Sequence, residues 1–436
     1  MEEKKTLNKE YILGSFIENK EFLDKRYEEG VEKYRKGDFT IRFSSNGKKK
    51  IKVNHKKHKF LFGCNAFMLD YFEDEKKEPI YKEKFAKLFN QAVVPFYWDS
   101  FEPEENKLRL TKDCEKIYRR PTPDVVLDFC NEYGIEPKGH CLLWNNLTPK
   151  WLKDYNEEDK KQIVERRFKQ IAELYGDKIP SFDVINETRS NYRYGVQSLF
   201  EEYDEFGVQL GEKYFKNNIK IINETNEAIW KDYFSGGKHF RFSTQIRDFI
   251  NKGFLFDEIG LQYHVFGTTE ELETSYNLRY MFLDAMAIVE ILDVLSKYDK
   301  PMHISEITIP GSGQDKDNED VQAKLTEELY KLWFATKNMK GIVWWNLVDG
   351  YAAWGKIGST DGENRYGGGL LRFDMTEKPA YKVLDRLINH EWKTSFESEV
   401  DSNVLSFRGF YGEYEVTVNG KTYTLNFDTD KKEISI

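Results

Sequence analysis

Two glutamates stand where short apolar runs end. Phe182-Asp183-Val-Ile-Asn186-Glu187 and Met302-His303-Ile-Ser-Glu306 each lead a mostly apolar stretch into a carboxyl group. A carboxyl at that position is hard to bury without a purpose, which sets these two apart from the many acidic residues of a wet surface. Facing each other across one cavity, such a pair can split a glycosidic bond. One carboxylic acid protonates the leaving oxygen and the other, as carboxylate, attacks the anomeric carbon. That chemistry needs a separation of ~5–5.5 Å and an acid whose pKa is raised. Histidines end two further runs, His140 in Gly139-His140-Cys-Leu-Leu-Trp144 and His264 in Gly260-Leu-Gln262-Tyr-His264. His264 is placed to orient a carboxylate and His140 to donate to a sugar hydroxyl. The same side chains, with Asp183 or Asn65, could instead gather a metal. Against this, no His-x-His pair follows an early run, so neither metal nor cofactor is expected.

The elements that must position these groups follow from the pattern around them. Eight short runs at 60–66, 92–98, 136–143, 181–187, 219–222, 258–263, 301–306 and 341–345 read as strands. Between them lie stretches of helical period, such as 278–295, where Phe282, Ala285, Val289 and Leu292 recur on one face. Strands alternating with helices mean parallel βαβ units, and eight of them predict an α/β fold of the closed (β/α)8 (TIM barrel) type. In such barrels the catalytic groups sit at the C-terminal strand ends. Reading those ends gives Asn65, Trp98, His140, Asn186-Glu187, Asn223-Glu224, His264, Glu306 and Trp345, a polar and aromatic set at the end of apolar strands. Trp144, Trp345 and Trp354 are candidate sugar platforms. Trp344 and Trp345 are neighbours on one strand, so only one of them can face the barrel mouth.

The ends of the chain read differently. Residues 1–35 suggest one charged amphipathic helix, and the apolar alternations around Ser45-Asn46-Gly47 suggest a hairpin. The last barrel helix is expected at 379–390, followed by a tail of alternating strands with a second turn at Asn419-Gly420. The expected organisation is a helix and hairpin segment over 1–59, a catalytic barrel over 60–391 and a β segment over 392–436, with the terminal strands forming a small β-rich unit.

Composition narrows the partners. Net charge is −9 and mean hydropathy −0.70, which argues against nucleic acid or an anionic membrane, since both want a basic face. No run is long and apolar enough to span a membrane, and the acidic start MEEKK has no signal-peptide core. The expected location is cytoplasmic, or secreted if a signal peptide has been trimmed. Cys64, Cys114, Cys130 and Cys141 form no metal or redox spacing and read as free thiols. Nothing in the sequence sets an oligomeric state.

At the quoted motifs the sequence resembles glycoside hydrolase family 10, the endo-β-1,4-xylanase family. The family's Gly-His-Thr-x-x-Trp is similar to Gly139–Trp144, and its Trp-Asp-Val-Val-Asn-Glu to Phe182–Glu187. Its Gly-x-Gln-x-His is similar to Gly260–His264, and its Ile-Thr-Glu-Leu-Asp to Ile304-Ser-Glu306-Ile-Thr308. Gly369-Leu-Leu-Arg-Phe-Asp374 and Lys378-Pro-Ala-Tyr381 complete the series in the family's order, over about residues 60–390. The resemblance implies that Glu187 is the general acid/base and Glu306 the nucleophile of a retaining β-glycosidase acting on xylan or xylo-oligosaccharides. It further implies that Asn186 binds the sugar 2-hydroxyl, that Gln262 approaches the same sugar, that His264 holds the nucleophile and that Trp345 floors the site.

The departures fall on the substrate side. The family's Glu-Asn-x-x-Lys cluster, which grips the next sugar on the non-reducing (glycone) side, is replaced by Ala92-Val-Val-Pro-Phe-Tyr-Trp98. The His after the family's third-strand Trp becomes Asn145, and Leu147 stands where Gln is common. Asn346 replaces the Gly of Trp-Gly-x-x-Asp, and the following Trp is displaced to Trp354. Substrate binding is therefore expected to be rebuilt, with the bulky Phe96-Tyr97-Trp98 able to block the glycone side. Two alternatives to xylan cleavage remain at this stage: the same mechanism on another glycan, and a carbohydrate-binding barrel with little catalysis.

Overall fold

The computed structural model describes residues 7–189 and 199–436. Three short helices, Lys9–Ile12, Gly14–Glu18 and Lys20–Tyr34, precede strands β1 (Lys36–Arg42) and β2 (Lys48–His58). Eight strands then alternate with helices. They are β3 (Leu61–Asn65), β4 (Gln91–Pro95), β5 (Glu136–His140), β6 (Ser181–Asn186), β7 (Ile219–Glu224), β8 (Glu258–His264), β9 (Met302–Thr308) and β10 (Met339–Trp344). Each pairs in parallel with the next, and β10 closes onto β3, so the sheet is a complete barrel. The (β/α)8 fold expected from the sequence is the fold observed. Every residue of β4, β6 and β9 is buried, as befits strands covered on both faces.

Two strand ends differ from their expected places. β9 runs two residues beyond Glu306 to Thr308. β4 stops at Pro95, so Trp98 opens the short helix Trp98–Phe101 and is buried there, its indole donating to Glu102 Oε2 at 2.9 Å. The helical stretch at 278–295 is two helices, Tyr276–Phe282 and Ala285–Leu295. The Asp284 carboxylate caps the second by accepting from the Met286 and Ala287 amides at 3.1 Å each. The single N-terminal helix is likewise three helices, parted at Leu13 and Asn19. Periodicity sees the shared apolar face but not these local caps.

The tail adds β11 (Ser395–Asp401), β12 (Val404–Phe410), β13 (Gly412–Val418), β14 (Lys421–Phe427) and β15 (Lys432–Ser435). The expected N-terminal hairpin does not form. β1 lies between β12 and β15, whereas β2 lies between β11 and β13 in a second sheet. The Ser45–Gly47 turn therefore crosses from one sheet to the other. Phe39, Ile41, Ile51, Val53, Tyr414, Val416 and Phe427 from both sheets share one apolar core, with the Phe39 and Phe427 rings stacked at 4.5 Å. Burial of one alternating face of each strand in this shared core outweighs the local Asn-Gly preference. The second Asn-Gly does make a hairpin: Asn419 (φ 48) and Gly420 (φ 87) join β13 to β14, the positive φ pair that such a turn requires.

All four cysteines are free, three of them buried. Among the described residues no helix is long and apolar enough to cross a membrane.

Candidate active site

The two glutamates meet at the barrel mouth. Glu187 follows β6, the fourth barrel strand, and Glu306 lies on β9, the seventh. One side chain bridges them: the Gln262 amide nitrogen donates to Glu187 Oε1 at 2.8 Å and to Glu306 Oε1 at 3.0 Å. The two oxygens can be no farther apart than the sum of those distances. Glu187 has φ 51, and its backbone amide is tied to the Asn223 carbonyl at 2.9 Å. Burial first, then the neighbouring Glu306 charge, push its carboxyl up to about 8, while contacts from Gln262 and Trp144 partly offset the rise.

Glu306 is buried among donors. Asn223 Nδ2 and Gln262 Nε2 reach Oε1 at 3.0 Å each, and His264 Nε2 lies 3.1 Å from Oε2. An ionised carboxylate only accepts, so the arrangement suits that form. On its far side His264 Nδ1 meets the Thr308 hydroxyl at 2.9 Å. A neutral ring accepting from Thr308 is left with Nε2–H to donate to Glu306. The His264 ring is further held between Phe266, stacked at 4.7 Å, and Trp345, edge-on at 5.8 Å.

His140 is held from below by Asp183, whose Oδ2 lies 2.7 Å from Nδ1 and also 2.5 Å from the buried Lys138 ammonium. Despite complete burial, Lys138 and His140 hold the Asp183 carboxyl well below the usual range. With Nδ1 held by Asp183, His140 turns Nε2 toward the cleft. The loop that follows His140 and carries Trp144 is fixed by the buried Arg167, which donates to the carbonyls of Phe96, Cys141 and Leu142.

Sequence reasoning counted Asn223 among the strand ends but gave it no role. Its amide donates to Asn186 Oδ1 at 2.7 Å as well as to Glu306, and its Oδ1 accepts from Ser305 at 2.5 Å. Asn186 is thereby turned so that its own amide is free of Asn223. Gly260 explains itself here, because a Cβ at that position would stand 2.4 Å from Asn223 Oδ1. Glu224 faces a different set, accepting from Thr188 at 2.9 Å and the Arg189 amide at 2.8 Å.

Cavities of about 480 and 550 Å³ flank this centre and share Glu187, Gln262, His264 and Phe266. The first holds His140, Trp144, Asn186, Glu306, Trp345 and Trp354. Trp345 lies edge-on to Phe67 and His140 at 5.3 and 5.5 Å. Its neighbour Trp344 points the other way, donating to the Gly368 carbonyl at 2.9 Å. Trp354 stands on the rim, 77% exposed. Asn65 is buried and does not reach the cavity wall, while its carbonyl accepts from Tyr81 at 3.1 Å. Of the Phe96-Tyr97-Trp98 run only Tyr97 lines the cavity; the other two sit in the barrel core. Among the described residues no group of three His, Cys, Asp or Glu side chains is placed to hold a metal ion.

Comparison with known proteins meets this geometry. The family model for Glycosyl hydrolase family 10 matches residues 53–386. The anti-sigma-I factor RsgI6 of Acetivibrio thermocellus is 25% identical over 370 residues, which cover 81% of this chain but only 42% of that protein. A beta-1,4-xylanase of Dictyoglomus thermophilum is 24% identical, over 72% of this chain and 93% of its own. The solved structure of xylanase 10B from Thermotoga petrophila, in complex with xylobiose, shares the fold at a TM-score of 0.60 and 20% identity. That match covers 76% of this chain and 95% of the xylanase.

Proposed function

Because the chain belongs to glycosyl hydrolase family 10, we propose that it hydrolyses β-glycosidic bonds with retention, and that its substrate is xylan or xylo-oligosaccharides. Glu187 protonates the glycosidic oxygen as the bond to the leaving sugar breaks, and Glu306 bonds to the anomeric carbon. Glu187, now a carboxylate, takes a proton from water, whose oxygen displaces Glu306 and restores both groups. The supporting observation is the shared Gln262 amide, 2.8 Å from one carboxyl and 3.0 Å from the other. Its two contacts bring the oxygens closer than the ~6.5–9.5 Å that an inverting enzyme needs to seat a water between them.

Electrostatics suit the two steps. The Glu306 charge is a main reason that Glu187 stays protonated. Esterification of Glu306 removes that charge, so the Glu187 pKa falls when it must act as base. Asn186 presents its amide to the sugar 2-hydroxyl, His264 orients Glu306 and Trp345 floors the reacting sugar. Trp144 and Trp354 add apolar faces beside it. Proton NMR of the first product from a xylo-oligosaccharide tests the reading. The β-anomer is expected first, and initial α-anomer would overturn it.

A further inference from the structure

Two arginines in the cleft take no part in this scheme. Arg119 and Arg120 lie between the helices Trp98–Phe101 and Pro123–Tyr133 and line the cavity that holds Tyr97 and Trp345. Their segment is firmly built. The Arg109 guanidinium donates to the carbonyls of Ser100 (2.8 Å), Glu115 (3.0 Å) and Arg120 (3.2 Å). The Arg120 amide bonds to Ile117 at 2.9 Å, and the Tyr118 hydroxyl bonds across to Ala352 at 3.1 Å. Arg119 adopts φ 58, a conformation that costs a non-glycine residue ~1–3 kcal/mol and persists where its surroundings impose it.

The guanidiniums are fixed yet incompletely used. Arg119 spends Nη1 on Asn346 Oδ1 and the Tyr351 carbonyl, and its buried Nε has no protein partner. Arg120 lies over the Tyr97 ring at 4.0 Å and gives only Nη1, to the Arg119 carbonyl at 2.9 Å. Among the described residues neither forms an ion pair with a carboxylate. Asp99 and Glu363 share the cavity, each with a buried oxygen that no hydrogen bond satisfies; burial pushes both carboxyls up, and the Arg120 charge beside Asp99 and the His264 and Arg119 charges beside Glu363 offset only part of the rise. Arg119 is buried and Arg120 half-buried; among the described residues no carboxylate clamps either guanidinium, and an arginine fork matches a carboxylate in two parallel hydrogen bonds.

We propose that Arg120, backed by Arg119, forms a carboxylate-binding subsite on the glycone side of the cleft, and that the preferred glycan carries a uronic acid there. The inference rests on the glycan-hydrolase reading and deepens it. It places the acidic group across Tyr97 from His140, where the expected xylan-gripping cluster is replaced in sequence. The uronate can belong to a branch or to the main chain, and both present the same planar anion.

The test compares kcat/KM on a neutral xylo-oligosaccharide, a xylo-oligosaccharide with a glucuronic acid branch and a β-1,4-linked oligoglucuronide. Wild type, Arg120→Gln and Arg120→Lys are each measured. Wild type is expected to favour one acidic substrate over the neutral one by ~10-fold or more, the scale of a charge-assisted pair, and the favoured one tells branch from main chain. In Arg120→Gln that ratio falls to about one, and Arg120→Lys, which keeps the charge but loses the fork, recovers part of it. A wild type that prefers the neutral substrate, or a preference that survives Arg120→Gln, overturns the subsite. Cleavage of acidic glycans without any of xylan leaves the subsite standing and removes xylan as the substrate. If nothing is cleaved, calorimetry on Glu306→Ala decides between the two claims. Tighter binding of an acidic oligosaccharide, abolished by adding Arg120→Gln, supports the subsite without the hydrolase, and equal or absent binding overturns it.

Discussion

Replacing Glu187 by glutamine removes a proton-binding group while keeping its shape and its acceptor for Gln262. The carboxyl ordinarily titrates at 4.5 and is pushed up to about 8 in the folded chain, so folding binds this proton more tightly. The stability that follows is fully present below pH 4.5 and is lost as pH rises through 8, at up to ~1.4 kcal/mol per pH unit. Carried from 4.5 to 7, and discounted because the carboxyl is partly exposed to the cleft, the loss is about 2 kcal/mol. Glu187→Gln does not suffer it. Calorimetric melting of both proteins from pH 4.5 to 8 is expected to show equal Tm at the acid end. Toward pH 8 the variant gains, with an advantage of about 2–4 °C for a chain of this size. The same group sets the alkaline limb of wild-type kcat/KM near pH 8, since the acid must be protonated in the free enzyme. A Tm difference that stays flat across this range, or an alkaline limb near pH 5, refutes the reasoning.

Three further substitutions probe the surroundings of the pair. Asn223→Ala strips one donor from Glu306 and one from Asn186, and kcat is expected to fall ~10²-fold, the scale of losing one preorganised donor, as read by single-turnover kinetics. Gly260→Ala puts a Cβ 2.4 Å from Asn223 Oδ1, so kcat/KM falls and urea unfolding reports a loss of ~1–3 kcal/mol. Trp354→Ala on the exposed rim leaves stability within ~0.5 kcal/mol but raises KM for long oligosaccharides more than for a short aryl glycoside, which a chain-length series measures.

The barrel is legible because buried parallel strands announce themselves as apolar runs, and their polar ends mark the mouth. That logic finds Glu187, Glu306, His140 and His264, the family resemblance adds Gln262, and the fold carries all five to one cavity. It fails where position depends on distant partners. The Ser45-Asn46-Gly47 signal is a sound local turn rule, yet β1 and β2 separate because each gains a buried face in its own sheet. Trp98 reads as a strand end but is drawn into the core by Glu102. Asn223 hides behind an ordinary strand ending, since its value lies in spanning Asn186 and Glu306. Arg119 and Arg120 carry no sequence signal, because an irregular segment, clamped by Arg109, brings them to the cleft.

The central claim is that Glu306 bonds covalently to the sugar. Incubation with a 2-deoxy-2-fluoro xylobioside bearing a good leaving group slows release of the intermediate, and mass spectrometry then locates the adduct. A single glycosyl adduct on the peptide that contains Glu306, absent in Glu306→Ala, is the predicted result. An adduct on Glu187, or none while the enzyme turns over unfluorinated substrate, contradicts the account.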